Sequence, residues 1–416
     1  MAAQFLLDDR AQGRFLVNRH SMTDREVLER EHRQVFDRCW LYVGHESELT
    51  GAHDTRTRTV GGRPLIFCRD GDGEIRVFLN SCPHRGNVLC REEHTTGRTM
   101  RCFFHGWTFN TSGQLVSLAD EEGYGPNFDR SRYSLGVPPR VSSYAGFVFI
   151  CYDPAAPSLD EYLAGAKPYL DLVAARGLDA GMEIVGGVQR YSIRANWKLL
   201  AENSVDSYHA LYTHKRWFDL LRAAGSDVLA RSAQSVSAVR ELGNGHVVTR
   251  APVLDAEADE VDSAETARRQ QVAARLGAQW ADMLRTTRAL LIFPNLVVID
   301  LPPAITIRTF EPEAVDLMRV SAYPIAPRDD DPALRQRRLD FYSAFWGPAG
   351  MGTPDDIEAL EGCQRGFATV RELEWSDISR GMHNEHPRGV DELQMRTFWR
   401  RWNELMTDEP YVAERP

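Results

Sequence analysis

Two short stretches of the chain set thiols beside imidazoles. Cys82 and His84 form a Cys-x-His pair, Cys102 and His105 form a Cys-x-x-His pair, and seventeen residues lie between the pairs. Thiolate sulfur is soft and suits iron–sulfur clusters, zinc or copper(I), whereas imidazole suits zinc and iron. Three readings compete: core cysteines with unrelated histidines, a structural zinc site, and a two-iron cluster. Zinc sites usually pair cysteine with cysteine and then histidine with histidine, but here each arm carries one of each. A [2Fe–2S] cluster with two cysteines on one iron and two histidines on the other uses that mixed arrangement, and neutral histidine raises its potential. Pro83 and Gly86 shape one loop and Gly106 the other, freeing backbone N–H groups to donate to sulfur.

A second concentration of unusual residues is "NWKLLAENSVDSYHALYTH", Asn196 to His214. A helix is expected from residue 197, with Asp206 and His209 three apart on one face. His209 and His214 are five apart, about 140° around an ideal helix, so one metal can take both only if the helix ends or distorts near Tyr212–Thr213. Two histidines and one carboxylate make the facial triad of non-haem iron(II) oxygenases; the competing reading is two ordinary histidines. The carboxylate need not be local. The stretch "GPAGMGTPDDIEALEGCQRGF" offers Asp355 and Asp356. Any helix start favours the same residues, with Thr353 as N-cap, Pro354 at the first position and acids in the first turn. Spacing alone does not separate cap from ligand.

The segment "CPHRG…CFFHGW" resembles the Rieske signature of ring-hydroxylating oxygenases, and "NWK…EN…D.YH….H" with the later "GPAG…DD" resembles the catalytic domain of aromatic-ring dioxygenase α subunits. The likeness runs from about residue 20 to the C-terminal "FWRRWNELM". It implies an α+β chain, with a small all-β Rieske domain joined to a helix-grip catalytic domain of antiparallel sheet and long helices. It assigns Cys82, His84, Cys102 and His105 to a [2Fe–2S] cluster, and His209, His214 and Asp356, the second acid of its pair, to mononuclear Fe(II). Asp206 matches the acid that bridges an iron histidine to a cluster histidine of a neighbouring subunit, and Asn203 a polar residue beside the iron, too distant to be a firm ligand. Cys90 has no place in the pattern and reads as a reduced, packed cysteine. Two residues separate Asn203 from Asp206, where the naphthalene-dioxygenase type has three. Together with "TPDD", which is closer to the benzoate and anthranilate group, this points toward an aromatic carboxylate or related substrate.

The resemblance implies a terminal oxygenase subunit that activates O₂ and dihydroxylates an aromatic ring to a cis-diol. NADH would be oxidised on a separate reductase, since no glycine-rich dinucleotide fingerprint follows a strand. The implied partners are a ferredoxin and/or that reductase, and a small β subunit in an α₃β₃ hexamer or none in an α₃ homotrimer. A homotrimeric monooxygenase or demethylase is the alternative within the family, and a zinc-stabilised binding module the alternative outside it. Between the metal-site pairs, Arg85, Arg91, Arg98 and Arg101 outnumber Glu92 and Glu93. That locally basic segment is expected to dock an acidic ferredoxin or reductase, against the plainer reading of a mixed-charge surface.

The rest of the chain must position these groups. Its 416 residues suffice for two or three domains. A formal net charge of −10 argues against nonspecific nucleic-acid binding. No apolar run is long enough for a membrane span, and the first residues make a poor signal peptide. Seven cysteines, an odd number thinly spread, argue against a disulfide scaffold and for a reducing, cytoplasmic setting. An amphipathic helix is expected over Ser21–Trp40, capped by Thr23 with Glu26 reaching back. Strand-like runs follow at "TRTRTV", "RPLIFCR" and "EIRVFLN", and again at "AGFVFICYDP". After "PAAPS" the texture changes to helices alternating with apolar strands, including "ALLIFPNLVVIDL" and "DLMRVSAYPIAP". The expected division is an N-terminal helical segment over 1–40 packing on the catalytic domain, a Rieske domain over 41–155 and a catalytic domain over 156–416. Substrate-pocket residues are expected on strands between 240 and 310, and "EADEVDSAETARRQQ" reads as a solvated loop running into a helix.

Overall fold

The computed structural model describes residues 4–225, 237–252, 263–277, 280, 283–284, 286–301 and 304–407. The chain divides into two compact units, one formed by residues 36–159 and the other by 1–35 together with 160–416.

The contiguous unit is built from three antiparallel sheets. The four-stranded sheet runs Ile75–Leu79, Arg63–Arg69, Asp54–Val60, His94–Thr96. Leu65 to Cys68 are buried without alternation, as expected for a strand covered on both faces. Gly73, at φ 89°, lets the chain turn tightly into the next strand. A three-stranded sheet, Thr99–Arg101, Thr108–Asn110, Leu115–Ser117, lies around the second Cys–His loop. The third sheet joins Leu41–His45, Phe147–Cys151 and Arg140–Tyr144. Cys82 and Cys102 are not surface thiols. They belong to a core cluster with Ile66, Phe78, Trp107 and Phe109, so the Cys–His loops grow directly out of the packed interior.

The discontinuous unit centres on an eight-stranded antiparallel sheet. Met182–Ile184 and Gln189–Ile193 both pair with Leu317–Pro327. The order then continues through Ile305–Ala314, Leu296–Asp300, Thr286–Ile292 and His246–Pro252 to Ala238–Gly243. Five helices matter for function: α1 (Trp197–Asn203), α2 (Ala210–Thr213), α3 (Lys215–Ala223), α4 (Thr353–Gly366) and α5 (Leu393–Thr407). α5 lies on the last two strands of the sheet, and α4 packs against α1, α2 and Gln189–Ile193. The charged stretch at 253–262 lies outside the described residues, and the helix Ser263–Leu276 follows it.

The N-terminal segment differs from the expected helix. It begins with a hairpin, Leu6–Asp9 paired with Arg14–Asn18, which Trp375–Asp377 extends to three strands. The helix itself is short, Arg25–Glu31, and runs into a wider turn over His32–Phe36. Its cap is Asp24, whose carboxylate accepts the Glu26 N–H at 2.8 Å. Thr23 instead donates its hydroxyl to the Arg19 carbonyl. Asp24 sits in the extended conformation that an N-cap needs, while Thr23 still belongs to the preceding helical turn. Glu31, fully buried, accepts hydrogen bonds from Trp197 Nε1 at 2.8 Å, Lys198 Nζ at 2.5 Å and Trp402 Nε1 at 2.7 Å. One carboxylate thus ties the N-terminal helix to α1 and α5, and three donors compensate its burial.

Candidate metal centres

The two Cys–His loops are built alike. In the first, Cys82 N–H donates to the Asn87 carbonyl at 2.8 Å and Gly86 N–H to the Cys82 carbonyl at 2.8 Å. In the second, Cys102 N–H donates to Trp107 O at 2.7 Å and Gly106 N–H to Cys102 O at 3.0 Å. Gly86 and Gly106 adopt φ of 75° and 74°, a left-handed turn open to glycine at little cost. Each turn directs N–H groups at sulfur, from His84 and Arg85 to Cys82 and from Phe104 and His105 to Cys102. The Asn87 amide adds a donor 3.8 Å from Cys102 Sγ. Burial pushes the Cys82 thiol up. Burial acts on Cys102 in the same sense, but the Phe104 N–H and the Asn87 amide outweigh it and hold that thiol below its ordinary value.

The rings of His84 and His105 lie 4.6 Å apart, and Trp107 stacks on His84 at 4.9 Å with 5° between planes. His105 Nδ1 is buried with no hydrogen-bond partner. Two buried thiols, N–H donors directed at their sulfurs and an orphaned imidazole nitrogen fit a mixed-ligand [2Fe–2S] group. Cys90 stands apart: it is half-buried, and burial pushes its thiol up to about 11. Of the flanking basic residues, Arg91 lies over the Phe103 ring at 4.3 Å and Arg85 over Phe104 at 5.7 Å, both rings being exposed.

In the other unit, α1 stops at Asn203, so Asp206 is not on a helix face as expected. It lies in the turn between α1 and α2 and acts as a cap. Its Oδ1 accepts the Tyr208 N–H, and its Oδ2 meets both the N–H and ring Nδ1 of His209. Asp206 and Ser204 compete with the backbone for hydrogen bonds here, which favours turn over helix. The helix interruption expected between the two histidines is present. α2 ends at Thr213, and His214 occupies the junction with α3 at φ −94°, ψ 27°.

That junction brings His214 round to face His209. Both Nε2 atoms lie 3.3 Å from Asp356 Oδ1, and His209, His214 and Asp356 offer donor atoms within 4.8 Å of one another. Asn203 sits among them, its amide 3.2 Å from Asp356 Oδ1 and 3.4 Å from His209 Nε2. Asp355 points elsewhere, its carboxylate 3.7 Å from His214 Nδ1. Thr353 does not cap α4: its hydroxyl donates to the Trp346 carbonyl at 2.8 Å, and the helix begins from Gly352. Burial opposes a charge on His209, yet Asp206 and Asp356 overcome it and push its pKa up to about 10. Asp356 is held well below the usual carboxylate range, against its own burial, by the two histidines. Two nitrogens and one carboxylate, converging where charge balance favours a cation, fit a divalent iron.

Three contacts at these sites have no counterpart in the motif reading. Asn87 and Trp107 lie inside the motif segment, and their neighbourhood to a ligand was the available signal. Phe345, whose ring lies 5.4 Å from His214, is more than a hundred residues away and had none.

Both units of the chain resemble known proteins. Residues 39–127 match the Rieske [2Fe–2S] domain, and residues 159–408 match the ring hydroxylating alpha subunit catalytic domain. The chain is 33% identical over 390 residues to the large subunit of 2-halobenzoate 1,2-dioxygenase from Burkholderia cepacia, covering 90% of this chain and 82% of that one. It is 33% identical over 387 residues to toluate 1,2-dioxygenase subunit alpha from Pseudomonas putida, covering 90% and 83%. Among solved structures, naphthalene 1,2-dioxygenase with indole in its active site superposes with a TM-score of 0.85 at 25% identity, covering 99% of this chain and 96% of that one.

Proposed function

The chain belongs to the Rieske ring-hydroxylating dioxygenase α subunits, and we propose that within this family it converts an aromatic carboxylate to a cis-diol. The reaction class carries a [2Fe–2S] cluster and a mononuclear Fe(II), with electrons drawn from NADH through partner proteins. The observation that carries the site assignment is the convergence of His209, His214 and Asp356. Their names tie both relatives above to aromatic carboxylates, 2-halobenzoate and toluate, which supports the substrate class.

In this reading Cys82 and Cys102 hold one iron of the cluster, His84 and His105 the other, and His209, His214 and Asp356 hold the mononuclear iron. When bound, the cluster supplies single electrons and the iron(II) supplies the reaction of O₂ with the ring. The protein groups prepare that chemistry. Asp206 fixes the His209 ring with Nε2 turned toward Asp356. Asn203 keeps the Asp356 carboxylate oriented through its amide. The Phe345 ring packs edge-on against His214 and gives that side of the site an apolar wall. One O₂, two electrons and two protons balance the formation of a cis-diol from an arene.

Electron-transfer partners and an oligomer follow from the family. The finer assembly we take to be an α₃ ring, with or without a small β subunit, in which Asp206 links each iron site to the cluster of the next chain. The exposed Phe103 and Phe104 with Arg85 and Arg91 form a face suited to an acidic electron donor. Among the described residues no helix is long and apolar enough to cross a membrane, and seven free cysteines suit a cytoplasmic setting. The test is product analysis with ¹⁸O₂ and a surrogate reductase on a panel of aromatic acids and hydrocarbons. Two labelled oxygens in a cis-diol acid support the reading. A single labelled oxygen or a demethylated product would replace it with a monooxygenase.

A further inference from the structure

Arg308 is 3% exposed, its side chain forms no ion pair and no hydrogen bond among the described residues, and its Nε is buried without a partner. Other buried arginines of the same unit are satisfied within the chain, Arg396 by the Ile378, Arg380 and Asp391 carbonyls and three more by carboxylates. Arg176 pairs with Glu265 and Asp300, Arg288 with Asp300, and Arg338 with Asp330 and Glu265. A buried guanidinium with neither carboxylate nor carbonyl acceptors is costly unless a group from outside the chain completes it.

Its surroundings are those of a ligand site. Arg308 pairs in register with Ala322, and Ala322 with Gln189, so the three form a row across adjacent strands. Side chains two apart share a sheet face, which puts Thr306 and Tyr191 beside that row. Gln189 Oε1 is buried without a hydrogen-bond partner, while the Tyr191 hydroxyl faces Thr353 and the Tyr342 hydroxyl faces Thr306, contacts that leave both hydroxyls free to donate to a further acceptor. An unpaired guanidinium, an unpaired amide oxygen and two tyrosine hydroxyls, three of them on the sheet and Tyr342 on the helical turn that covers it, make a polar patch unusual for a closed interior.

The patch borders the iron site. Tyr191, Ile299 and Phe345 pack against the apolar cluster of Ala322, Tyr342 and Trp346, and the Phe345 ring touches His214. Burial pushes the Tyr191 hydroxyl up. The charge of Arg308 pulls it the other way and Asp356 adds to the rise, so Tyr191 lies within electrostatic reach of both. The same arginine acts on Tyr342, whose hydroxyl burial also pushes up.

We propose that Arg308 is the anchor for the substrate carboxylate. An aromatic acid would set its carboxylate on the guanidinium, with the Tyr191 and Tyr342 hydroxyls as further donors, and lay its ring along Ile299 and Phe345 toward His214 and Asp356. The fork of guanidinium N–H groups matches a carboxylate in two parallel hydrogen bonds. This inference rests on the aromatic-carboxylate reading and names the residue that enforces it. A neutral arene leaves the buried charge uncompensated, so the pocket selects for anions as well as for ring shape.

The test compares wild type, Arg308→Gln and Arg308→Lys on a panel of aromatic acids, each beside its carboxamide, together with calorimetric binding of benzoate. The preference of kcat/KM for acid over amide is expected to fall about 100-fold in Arg308→Gln, mainly through KM. Arg308→Lys should fall between, and calorimetric benzoate affinity should drop in parallel. Iron content and the cluster absorbance report whether each variant is intact. If wild type oxidises an aromatic acid and the preference survives in intact Arg308→Gln, the anchor assignment is overturned while the carboxylate reading stands. If wild type oxidises neutral arenes and no aromatic acid, the carboxylate reading falls, and the role of Arg308 with it.

Discussion

Asp206 grips His209 at two points, with Oδ2 lying 3.2 Å from the backbone nitrogen and 3.1 Å from ring Nδ1. The first contact fixes where the ring starts and the second fixes how it is turned. Removing such an orienting carboxylate typically costs a metal site about 10–100-fold in affinity or activity. Asp206→Ala should therefore lose iron on dilution. Asp206→Asn keeps an oxygen for the backbone N–H groups and should retain iron, yet turn over at least about tenfold more slowly. Iron analysis with single-turnover product yield checks both variants. An Asp206→Ala protein that holds iron as wild type does would refute the orienting role.

The neighbouring acids of α4 should separate cleanly. Asp356 lies 3.3 Å from both histidine Nε2 atoms, whereas Asp355 reaches only His214 Nδ1, at 3.7 Å. His209→Ala, His214→Ala and Asp356→Ala should each abolish mononuclear iron while leaving the Rieske absorbance. Asp355→Ala should keep iron with affinity reduced less than about tenfold. Should Asp355→Ala be the variant that comes out iron-free, with Asp356→Ala still loaded, the acids have been assigned the wrong way round.

The Asn87 amide, 3.8 Å from Cys102 Sγ, would favour the more negative, reduced state of a cluster held there. Replacing it by leucine should lower the reduction potential by about 40 mV, the equivalent of one hydrogen bond of about 1 kcal/mol in a one-electron couple. Spectroelectrochemistry measures the shift. An unchanged or higher potential would mean that the amide does not donate to sulfur.

His246 makes stability depend on pH. It is fully buried, with Nε2 donating to the Tyr162 carbonyl at 2.8 Å and Nδ1 accepting the Phe293 N–H at 3.0 Å. Both nitrogens are committed in the neutral ring, and burial pushes its pKa down to about 4. The unfolded chain binds that proton near pH 6.5. The contribution is present in full above about pH 6.5 and is lost as pH falls toward 4, at most about 3 kcal/mol. Urea unfolding at pH 7 and pH 4.5 should show this loss, and His246→Gln should flatten the slope. Equal slopes in both proteins would show that His246 is not the titrating group.

The parts of the site legible in the sequence are those whose geometry is local. A Cys–His loop closes on itself within a few residues, so Cys82, His84, Cys102 and His105 announce a metal without any knowledge of the sheet beneath. The interruption between His209 and His214 is legible for a similar reason, since an unbroken helix turns them apart. Asp206 misleads because a capping turn and a helix both bring residues three apart together. Thr353 misleads because its hydroxyl turns back to the Trp346 carbonyl at the end of the preceding helical segment, a competitor that a cap motif read from Thr353 onward does not include. In "ITIRTFEPEA" nothing marks Arg308 as buried. Its row across three strands exists only once the register of Ile305–Ala314 with Leu317–Pro327 is set.

The Glu31 junction bears on how the chain is made. Its three donors come from residues 197, 198 and 402, so the carboxylate emerging early in synthesis is not satisfied until the C-terminal helix has left the ribosome. Residues 36–159, by contrast, form a contiguous unit whose contacts are all translated before residue 160. Vectorial synthesis therefore makes the whole cluster-bearing unit available to fold while the Glu31 junction still waits for its last donor.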